Sequence, residues 1–301
     1  MKVKFCKTEV EYPGDKLGEL RDSSDLLNDT DALRERINKD GYLLLRNFID
    51  RDTVLNAREA IVKHLADKSA LVKGEPLLEA VMPRKGKEVR MTGQTEITHQ
   101  PASLALFENR RLFEFFEKFF NQDTVTYDYK WLRAVGNENF TGCHYDVVYM
   151  GRGSRKVHTV WIPIGEIPVT QGTLAICEGS HNLESFARLR NTYGGLDVDR
   201  DRVAEGWFSS DPNEITSKFG GRWLTTTFHP GDVLIFGLFT LHASTTNLTD
   251  KYRISCDIRF QPAGDALDER WAGKNPKGHY AWGKDERPER PISELRKEWG
   301  I

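Results

Sequence analysis

The feature that most limits the fold is a series of short β-branched and aromatic runs that begins after Thr124. Glycine, proline and asparagine separate these runs, as is typical of the turns between strands. The predicted strands span residues 125–135, 157–164, 173–177, 223–228, 232–236 and 253–261. Many short strands with turn residues between them indicate an all-β sandwich or barrel.

The first 120 residues carry a different, mainly helical pattern. Residues 41–48 are predicted to form a short strand, and residues 52–68 and 103–120 two helices. The second helix has a broad apolar stripe that must be buried, made of Leu104, Phe107, Leu112, Phe115, Phe116 and Phe119. Helices followed by strands predict a mainly β domain braced on one side by helices.

We predict that the 301 residues form one domain with three parts. An N-terminal strand and helices (1–123) pack on a strand-rich core (124–262), and an extension (263–301) follows. Residues 185–221 interrupt the strand series, and a charged segment of that length is typical of a lid over a functional site. The extension is rich in proline and tryptophan, and we expect it to wrap the surface.

Composition excludes several classes of protein. Lys and Arg total 43 against 45 Asp and Glu, so the net charge of −2 excludes a dominant nucleic-acid or anionic-membrane surface. No apolar run approaches the roughly 20 residues that a bilayer span needs, and the charged N-terminus resembles no export signal. The four cysteines are scattered singly, unlike a disulfide framework or a zinc finger, so we expect a cytoplasmic protein.

The candidate chemistry is concentrated in the segment His144-Tyr145-Asp146. Residues i and i+2 of an extended chain project to one face, so the imidazole and the carboxylate are expected to point together. A second histidine, His242, follows 98 residues later. Two histidines and a carboxylate form the facial triad of non-haem Fe(II) oxygenases, whose opposite face is open. Arg253 lies eleven residues further on, where a strand hairpin brings a guanidinium near the metal to bind a carboxylate.

Over roughly residues 41–262 the sequence resembles the phytanoyl-CoA dioxygenase family of Fe(II)- and 2-oxoglutarate-dependent oxygenases. The similar segments are residues 144–146, 160–164, 171–174, 178–181, 230–233, 242–244 and 253. Three positions depart from the usual pattern: Tyr145 replaces glutamine, Gln171 replaces asparagine and Glu178 replaces proline. These departures leave the metal ligands intact but do not indicate a subfamily.

The resemblance implies a double-stranded β-helix, which is a cupin-like jelly roll. It implies hydroxylation or desaturation of a small organic substrate by O2, with release of succinate and CO2. Fe(II) is expected on His144, Asp146 and His242, and 2-oxoglutarate as the co-substrate. Its distal carboxylate is expected on Arg253 and Ser244, in a pocket further lined by Trp161, Tyr129 and Arg90.

Candidate substrate contacts are less specific. Trp131 and Arg133 are expected to share a strand face with Tyr129, and Tyr145 lies within the metal motif. Arg188 and Arg190, in the long insertion, are either solvated surface residues or contacts for an anionic substrate. Acyl-CoA, an amino-acid derivative and a natural product are all compatible with the sequence, which does not indicate the oligomeric state.

Two other classes of protein remain open. One is a β-barrel metalloenzyme that does not use 2-oxoglutarate, for which Arg253 would have no function as an anchor. The other is a catalytically silent module that binds the metal or 2-oxoglutarate, although such a relative usually lacks a ligand of the triad. The remaining histidines are predicted to have structural roles.

Overall fold

The computed structural model describes residues 1–83, 89–273, 276–279 and 289–301. The strands are β1 (Lys2–Phe5), β2 (Thr8–Glu11), β3 (Gly18–Glu19), β4 (Tyr42–Leu45), β5 (Val89–Arg90), β6 (Thr124–Thr126), β7 (Trp131–Val135), β8 (His158–Pro163), β9 (Leu174–Glu178), β10 (Arg222–Thr225), β11 (Val233–Gly237), β12 (His242–Ser244) and β13 (Arg253–Pro262). The helices are α1 (Thr30–Asp40), α2 (Arg51–Asp67), α3 (Thr95–Thr98), α4 (Pro101–Phe107), α5 (Arg110–Phe120), α6 (Val147–Met150), α7 (Ala187–Asn191), α8 (Pro212–Phe219) and α9 (Ile292–Trp299). Within these ranges, no helix has the length and apolar character needed to span a bilayer.

Two sheets enclose a shared core. The larger sheet has the strand order β4-β11-β8-β13-β7-β5, with β6 also paired to β13. The smaller sheet has the order β12-β9-β10-β3. Side chains of both sheets, among them Trp161 and Phe236 from the larger and Ile176 and Leu224 from the smaller, form one buried cluster between them. This arrangement confirms the predicted jelly roll.

Helices cover the outer face of the larger sheet. Phe116 of α5 stacks on Phe260 of β13 with ring centres 4.7 Å apart, and it is fully buried. The predicted helix over 103–120 is wrong in one respect, because it is divided into α4 and α5. Asn109 interrupts the helix, because its backbone is non-helical. Its side chain accepts the Arg111 N–H at 3.1 Å, and Asn109 is thus the N-cap of α5.

The predicted strand over 125–135 is also divided. Residues between β6 and β7 leave the sheet, and the Tyr127 phenol donates to Gln261 at 3.0 Å instead of following the strand face. Tyr129 therefore precedes β7 and is not on a strand. Trp131 and Arg133 do lie on β7, as predicted.

The segment 185–221, predicted to be a lid, is folded onto the rest of the protein. It contains α7, α8 and two short 3-10 turns, and its buried side chains pack on the outer face of the smaller sheet. The buried side chains include Phe186, Leu189, Tyr193, Phe208, Ile215 and Phe219. Six large apolar side chains in a polar segment are enough to fold it onto the sheet.

The extension packs on this segment. Leu295 of α9 is buried in the same cluster, and Trp299 lies 6.5 Å from the ring of Tyr193. Arg270 is fully buried and pairs with Asp199 at 2.5 Å, which joins the extension to the long segment. The predictions that involve residues 274–275 and 280–288, including Trp282 and Pro288, lie outside the described residues.

Candidate metal centre

A backbone bridge brings the two predicted histidine ligands together. The His144 N–H donates to the His242 carbonyl at 2.9 Å, and the His242 N–H donates back at 3.0 Å. This is the hydrogen-bonded pair of an antiparallel ladder. Residues on adjacent antiparallel strands project their side chains to the same face, and the two imidazole centres are 4.1 Å apart.

Asp146 reaches the same point by a turn. The prediction that an extended chain aligns Asp146 with His144 is wrong, because Asp146 has helical dihedral angles (φ −64°, ψ −27°) and begins α6. Its Oδ1 atom lies 3.8 Å from Nε2 of His144 and 3.7 Å from Nε2 of His242. All three side chains are buried, and their ligand atoms lie within 4.8 Å of one another.

Both imidazoles present a lone pair to this point. Nδ1 of His144 lies 2.8 Å from the Gly142 carbonyl, and Nδ1 of His242 lies 3.0 Å from the Thr240 carbonyl. A carbonyl only accepts, so Nδ1 carries the hydrogen and the lone pair of Nε2 is available to bind a metal. Burial, reinforced by the neighbouring His242, lowers the pKa of His144 to about 3. The imidazole of His144 is therefore neutral near pH 7, as a metal ligand must be.

The carboxylate of Asp146 is ionised. Burial alone would raise its pKa, but the Arg259 guanidinium and the two histidines outweigh burial and hold the pKa well below its usual range. Oδ2 accepts hydrogen bonds from the Thr159 hydroxyl at 2.5 Å and from Nη2 of Arg259 at 3.0 Å. Two imidazole nitrogens and one carboxylate form a donor set that suits Fe(II).

Arg253 lies on the inner face of β13, with 3% of its surface exposed. Its Nη1 donates to the Ser255 hydroxyl, and its guanidinium lies 6.0 Å from the ring centre of Trp161. Trp161 is buried on β8, the neighbouring strand. Ser244 is buried as well, but its hydroxyl accepts the Thr141 N–H at 2.8 Å, so its predicted contact with 2-oxoglutarate remains a prediction.

An aromatic cluster lies beside these polar groups. The rings of Tyr129, Trp131 and Trp271 have centres 4.8 to 5.0 Å apart. Burial raises the pKa of Tyr129, and the positive charges of Arg133 and Arg90 oppose that rise. Arg90 is exposed on β5 and pairs in register with Arg133. These predicted residues therefore lie close together.

The remaining substrate candidates have structural contacts. The Tyr145 hydroxyl donates to the Ser180 carbonyl at 3.1 Å, and the ring stacks on Tyr193 in the core. Arg188 donates to the Trp299 carbonyl at 2.6 Å, and Arg190 donates to the carbonyl of Leu183 at 2.8 Å. These contacts hold the long segment and the extension in place, and the substrate contacts of the three side chains stay predictions.

Four residues that support the site were not predicted from the sequence: Thr159, Ser255, Arg259 and Trp271. A signal for two of them was present. Along β13 the residues Arg253, Ser255, Asp257, Arg259 and Gln261 alternate with Ile254, Cys256, Ile258 and Phe260. When polar and apolar residues alternate strictly along a strand that is buried on both faces, one face of the sheet borders a polar interior.

This donor set is typical of the class of non-haem iron oxygenases. Residues 37–255 match the phytanoyl-CoA dioxygenase (PhyH) family, and the chain belongs to that family. The predicted family is thereby confirmed. The enzyme called 1-deoxypentalenic acid 11-beta-hydroxylase is similar: that of Streptomyces arenae is 27% identical over 267 residues, 83% of this chain and 87% of the relative.

Solved structures with the same fold are more distant in sequence. The epimerase SnoN, in complex with Fe3+, alpha ketoglutarate and nogalamycin RO, has a TM-score of 0.57 at 17% identity. That match covers 88% of this chain and 95% of SnoN. EctD from S. alaskensis, with 2-oxoglutarate and 5-hydroxyectoine, has a TM-score of 0.55 at 16% identity over 87% of this chain and 88% of EctD. At these identities the likeness supports the fold alone.

Proposed function

We propose that His144, Asp146 and His242 hold the Fe(II) and that Arg253 binds the distal carboxylate of 2-oxoglutarate. The observation that carries this proposal is the convergence of two histidine Nε2 atoms and Oδ1 of Asp146 within 4.8 Å, from segments 98 residues apart in the chain. The position of Arg253 supports the anchor, because its guanidinium is buried on the inner face of β13 beside Trp161 and can bind a carboxylate through two hydrogen bonds.

Bound iron would supply the oxidising chemistry, in which O2 gives one oxygen atom to 2-oxoglutarate, forming succinate and CO2, and the other to the substrate. The chain contributes orientation and shielding. Asp146 stays ionised beside Arg259, and the two imidazoles keep their Nδ1 hydrogens on backbone carbonyls. Trp161, next to Arg253, would form an apolar wall of the pocket that holds 2-oxoglutarate.

We infer that the substrate is a small, largely apolar carboxylic acid and that the reaction is hydroxylation. Both similar enzymes from Streptomyces are named as hydroxylases of 1-deoxypentalenic acid. The cluster of Tyr129, Trp131 and Trp271 offers the apolar surface for such a skeleton. Arg133 is a suitable partner for the acid, since 30% of its side chain is exposed beside its ion pair with Asp257.

We propose that the lid is formed by residues 196–209, a part of 185–221 whose backbone contacts the chain next to His144 and Asp146. The Val198 N–H donates to the Val148 carbonyl at 3.0 Å, and the Phe208 N–H donates to the Cys143 carbonyl at 2.9 Å. Both contacts lie within two residues of a metal ligand in sequence. Loops at this position collect substrate contacts and keep water from the reacting centre.

The lid is tested by replacing residues 200–205 with a glycine-serine linker of equal length. Substrate-coupled turnover is expected to fall steeply, because the linker cannot exclude water, while slow uncoupled conversion of 2-oxoglutarate to succinate persists. A linker variant with unchanged coupled turnover would show that the segment has no part in the reaction.

The protein is proposed to be cytoplasmic and to act on small molecules, without a nucleic-acid or membrane partner. Its four cysteines are all buried free thiols, as is typical of a reducing compartment. The balance of 43 basic and 45 acidic residues gives no cationic excess for binding polyanions.

The proposed function is tested by measuring succinate release from the Fe(II)-loaded protein over a panel of apolar carboxylic acids, amino-acid derivatives and acyl-CoA esters. We expect one apolar acid to stimulate succinate release and to gain one oxygen atom in equal amount. Oxidation of a substrate without consumption of 2-oxoglutarate would favour the metalloenzyme that does not use this co-substrate. Binding of both ligands without any turnover across the panel would favour the silent module.

A further inference from the structure

The outer oxygen of Asp146 is held from two adjacent strands. Thr159 on β8 and Arg259 on β13 are directly opposite each other in register. The Thr159 hydroxyl donates to Oδ2 of Asp146 at 2.5 Å, and Nη2 of Arg259 donates to the same atom at 3.0 Å. Both donors therefore act on one oxygen, and Oδ1 remains directed at the two imidazoles.

The guanidinium of Arg259 is itself fixed in place. It lies 4.1 Å above the ring centre of Trp131, and 3% of the residue is exposed. Nη1 lies 3.9 Å from Oδ2 of Asp257, which is an ion pair without a hydrogen bond. Within the described residues, Nε and Nη1 have no hydrogen-bond partner. Buried donors without a hydrogen bond cost free energy. The side chain of Arg259 is therefore placed to reach Asp146 and not to satisfy all of its own donors.

A second arginine–aspartate pair shows what a purely structural pair looks like in this fold. Nη1 of Arg46 lies 2.6 Å from Oδ2 of the buried Asp232. The Asn47 N–H donates to Oδ1 of Asp232 at 3.1 Å, and the His229 N–H donates to Oδ2 at 2.9 Å. Both carboxylate oxygens of Asp232 are thus occupied by the protein, whereas one oxygen of Asp146 faces only the imidazoles.

We propose that Arg259 and Thr159 are positioning residues that reserve a single oxygen of Asp146 for the metal. This inference rests on the proposed function, in which Asp146 is a ligand. A carboxylate that rotates freely can bind a metal through one or both oxygens. With Oδ2 engaged by two donors, only Oδ1 is available, and the positions that a second carboxylate oxygen would occupy stay open for the co-substrates.

The test is a Co(II) titration of the metal-free protein, followed by the visible absorption of bound Co(II), which reports the ligand number. Arg259→Met removes the charged donor and keeps an apolar side chain over Trp131, and Arg259→Lys restores a cation. Thr159→Val is nearly isosteric and removes the second donor. Arg46→Met is the matched control, and His242→Ala tests the metal site itself.

We expect Arg259→Met to weaken Co(II) binding by about 10- to 100-fold, the usual range for partners of ligating side chains. The Co(II) spectrum should change, Arg259→Lys should recover part of the affinity, and Thr159→Val should lose severalfold. Arg46→Met should lower the melting temperature and leave the Co(II) affinity within twofold of the parent.

A folded Arg259→Met protein with unchanged Co(II) affinity and spectrum would overturn the inference. An equal loss of affinity in Arg46→Met would overturn it as well, because the effect would then be one of general stability. If Arg259→Met does not fold, unchanged Co(II) binding in Thr159→Val decides against the inference. Persistence of Co(II) binding in His242→Ala would instead show that the proposed function has failed.

Discussion

The two faces of the larger sheet differ in what they contribute to the protein. The outward residues of β13 are Ile254, Cys256, Ile258 and Phe260, and they pack against the helices. The inward residues are Arg253, Ser255, Asp257, Arg259 and Gln261, and all five are buried. One strand thus supplies hydrophobic burial on one face and a set of buried charges on the other.

Because alternate residues of β13 face opposite sides of the sheet, the residues that stabilise the fold are separated from those that border the site. Burial of apolar side chains on the outer face stabilises the fold, whereas buried charges on the inner face cost free energy unless they are paired. The inner charges form ion pairs: Asp146 with Arg259, and Asp257 with Arg133. Changes on the inner face should therefore alter function more than stability, and changes on the outer face the reverse.

The largest expected effect is that of His144→Ala, at the metal site in the interior that the inner face borders. Loss of one of three ligands leaves a divalent ion weakly held, so turnover should fall at least about a thousandfold. The melting temperature should change little, because the removed imidazole has no apolar packing role comparable to that of Phe116. Succinate release and thermal melting measure the two effects, and substantial turnover in His144→Ala would remove this residue from the site.

Phe116→Ala tests the outer face. Phe116 is fully buried and stacks on Phe260 at 4.7 Å, so its truncation should lower the free energy of unfolding by about 3–5 kcal/mol. Urea unfolding gives this value, and Co(II) titration of the folded variant should give the parent affinity. A large loss of metal affinity in Phe116→Ala would mean that the two faces are coupled.

Arg253→Leu tests whether the inner face binds 2-oxoglutarate separately from the metal. Removing the cation leaves the distal carboxylate of 2-oxoglutarate unpaired in a buried site, a loss of about 2–5 kcal/mol in binding. The apparent affinity for 2-oxoglutarate should fall well over tenfold while metal binding persists, as anaerobic titrations would show. Equal affinity in Arg253→Leu and the parent would place the anchor elsewhere, and Arg253→Lys should lose less than Arg253→Leu.

The smallest effect concerns His158, a titratable residue on the outer face. Its ring lies 5.4 Å from Phe119 and 5.5 Å from Phe120, and burial lowers its pKa to about 4. The unfolded chain takes up this proton near pH 6.5. Between about pH 6.5 and 4 the unfolded state therefore binds more protons, and stability falls as the pH is lowered.

This dependence is measured by urea unfolding of the parent and of His158→Gln at pH 7 and pH 5. The stability of the parent should fall more between the two pH values, by at most about 1.4 kcal/mol per pH unit for one proton. Parallel losses in the two proteins would show that His158 does not experience the apolar surroundings described above.

Part of this molecule was predictable because its signals are local. The runs of β-branched residues predict the strands of the core, and the motif of His144 and Asp146 with the distant His242 predicts the donor set. The alternation of β13 was available in the sequence and would have indicated Arg259 and Ser255 as inner residues. Applying this alternation to the strand would have added these two residues to the predicted site.

The rest depends on contacts between distant segments, which spacing does not encode. The bridge between His144 and His242, and the turn that brings Asp146 to them, arise only when the sheets close. The polarity of residues 185–221 concealed the buried aromatic side chains that hold them on the smaller sheet. Arg188 and Arg190 resemble binding residues in sequence, but they satisfy backbone carbonyls in the folded chain.

The central claim is that His144, Asp146 and His242 hold one metal ion through Nε2, Oδ1 and Nε2. The most direct test is anomalous diffraction at the iron absorption edge, from crystals grown without oxygen in the presence of Fe(II) and 2-oxoglutarate. We predict one anomalous peak per chain, within bonding distance of those three atoms, and the distal carboxylate of 2-oxoglutarate on Arg253. A peak that is absent from this position in iron-loaded crystals, or that lies elsewhere in the chain, would contradict the account.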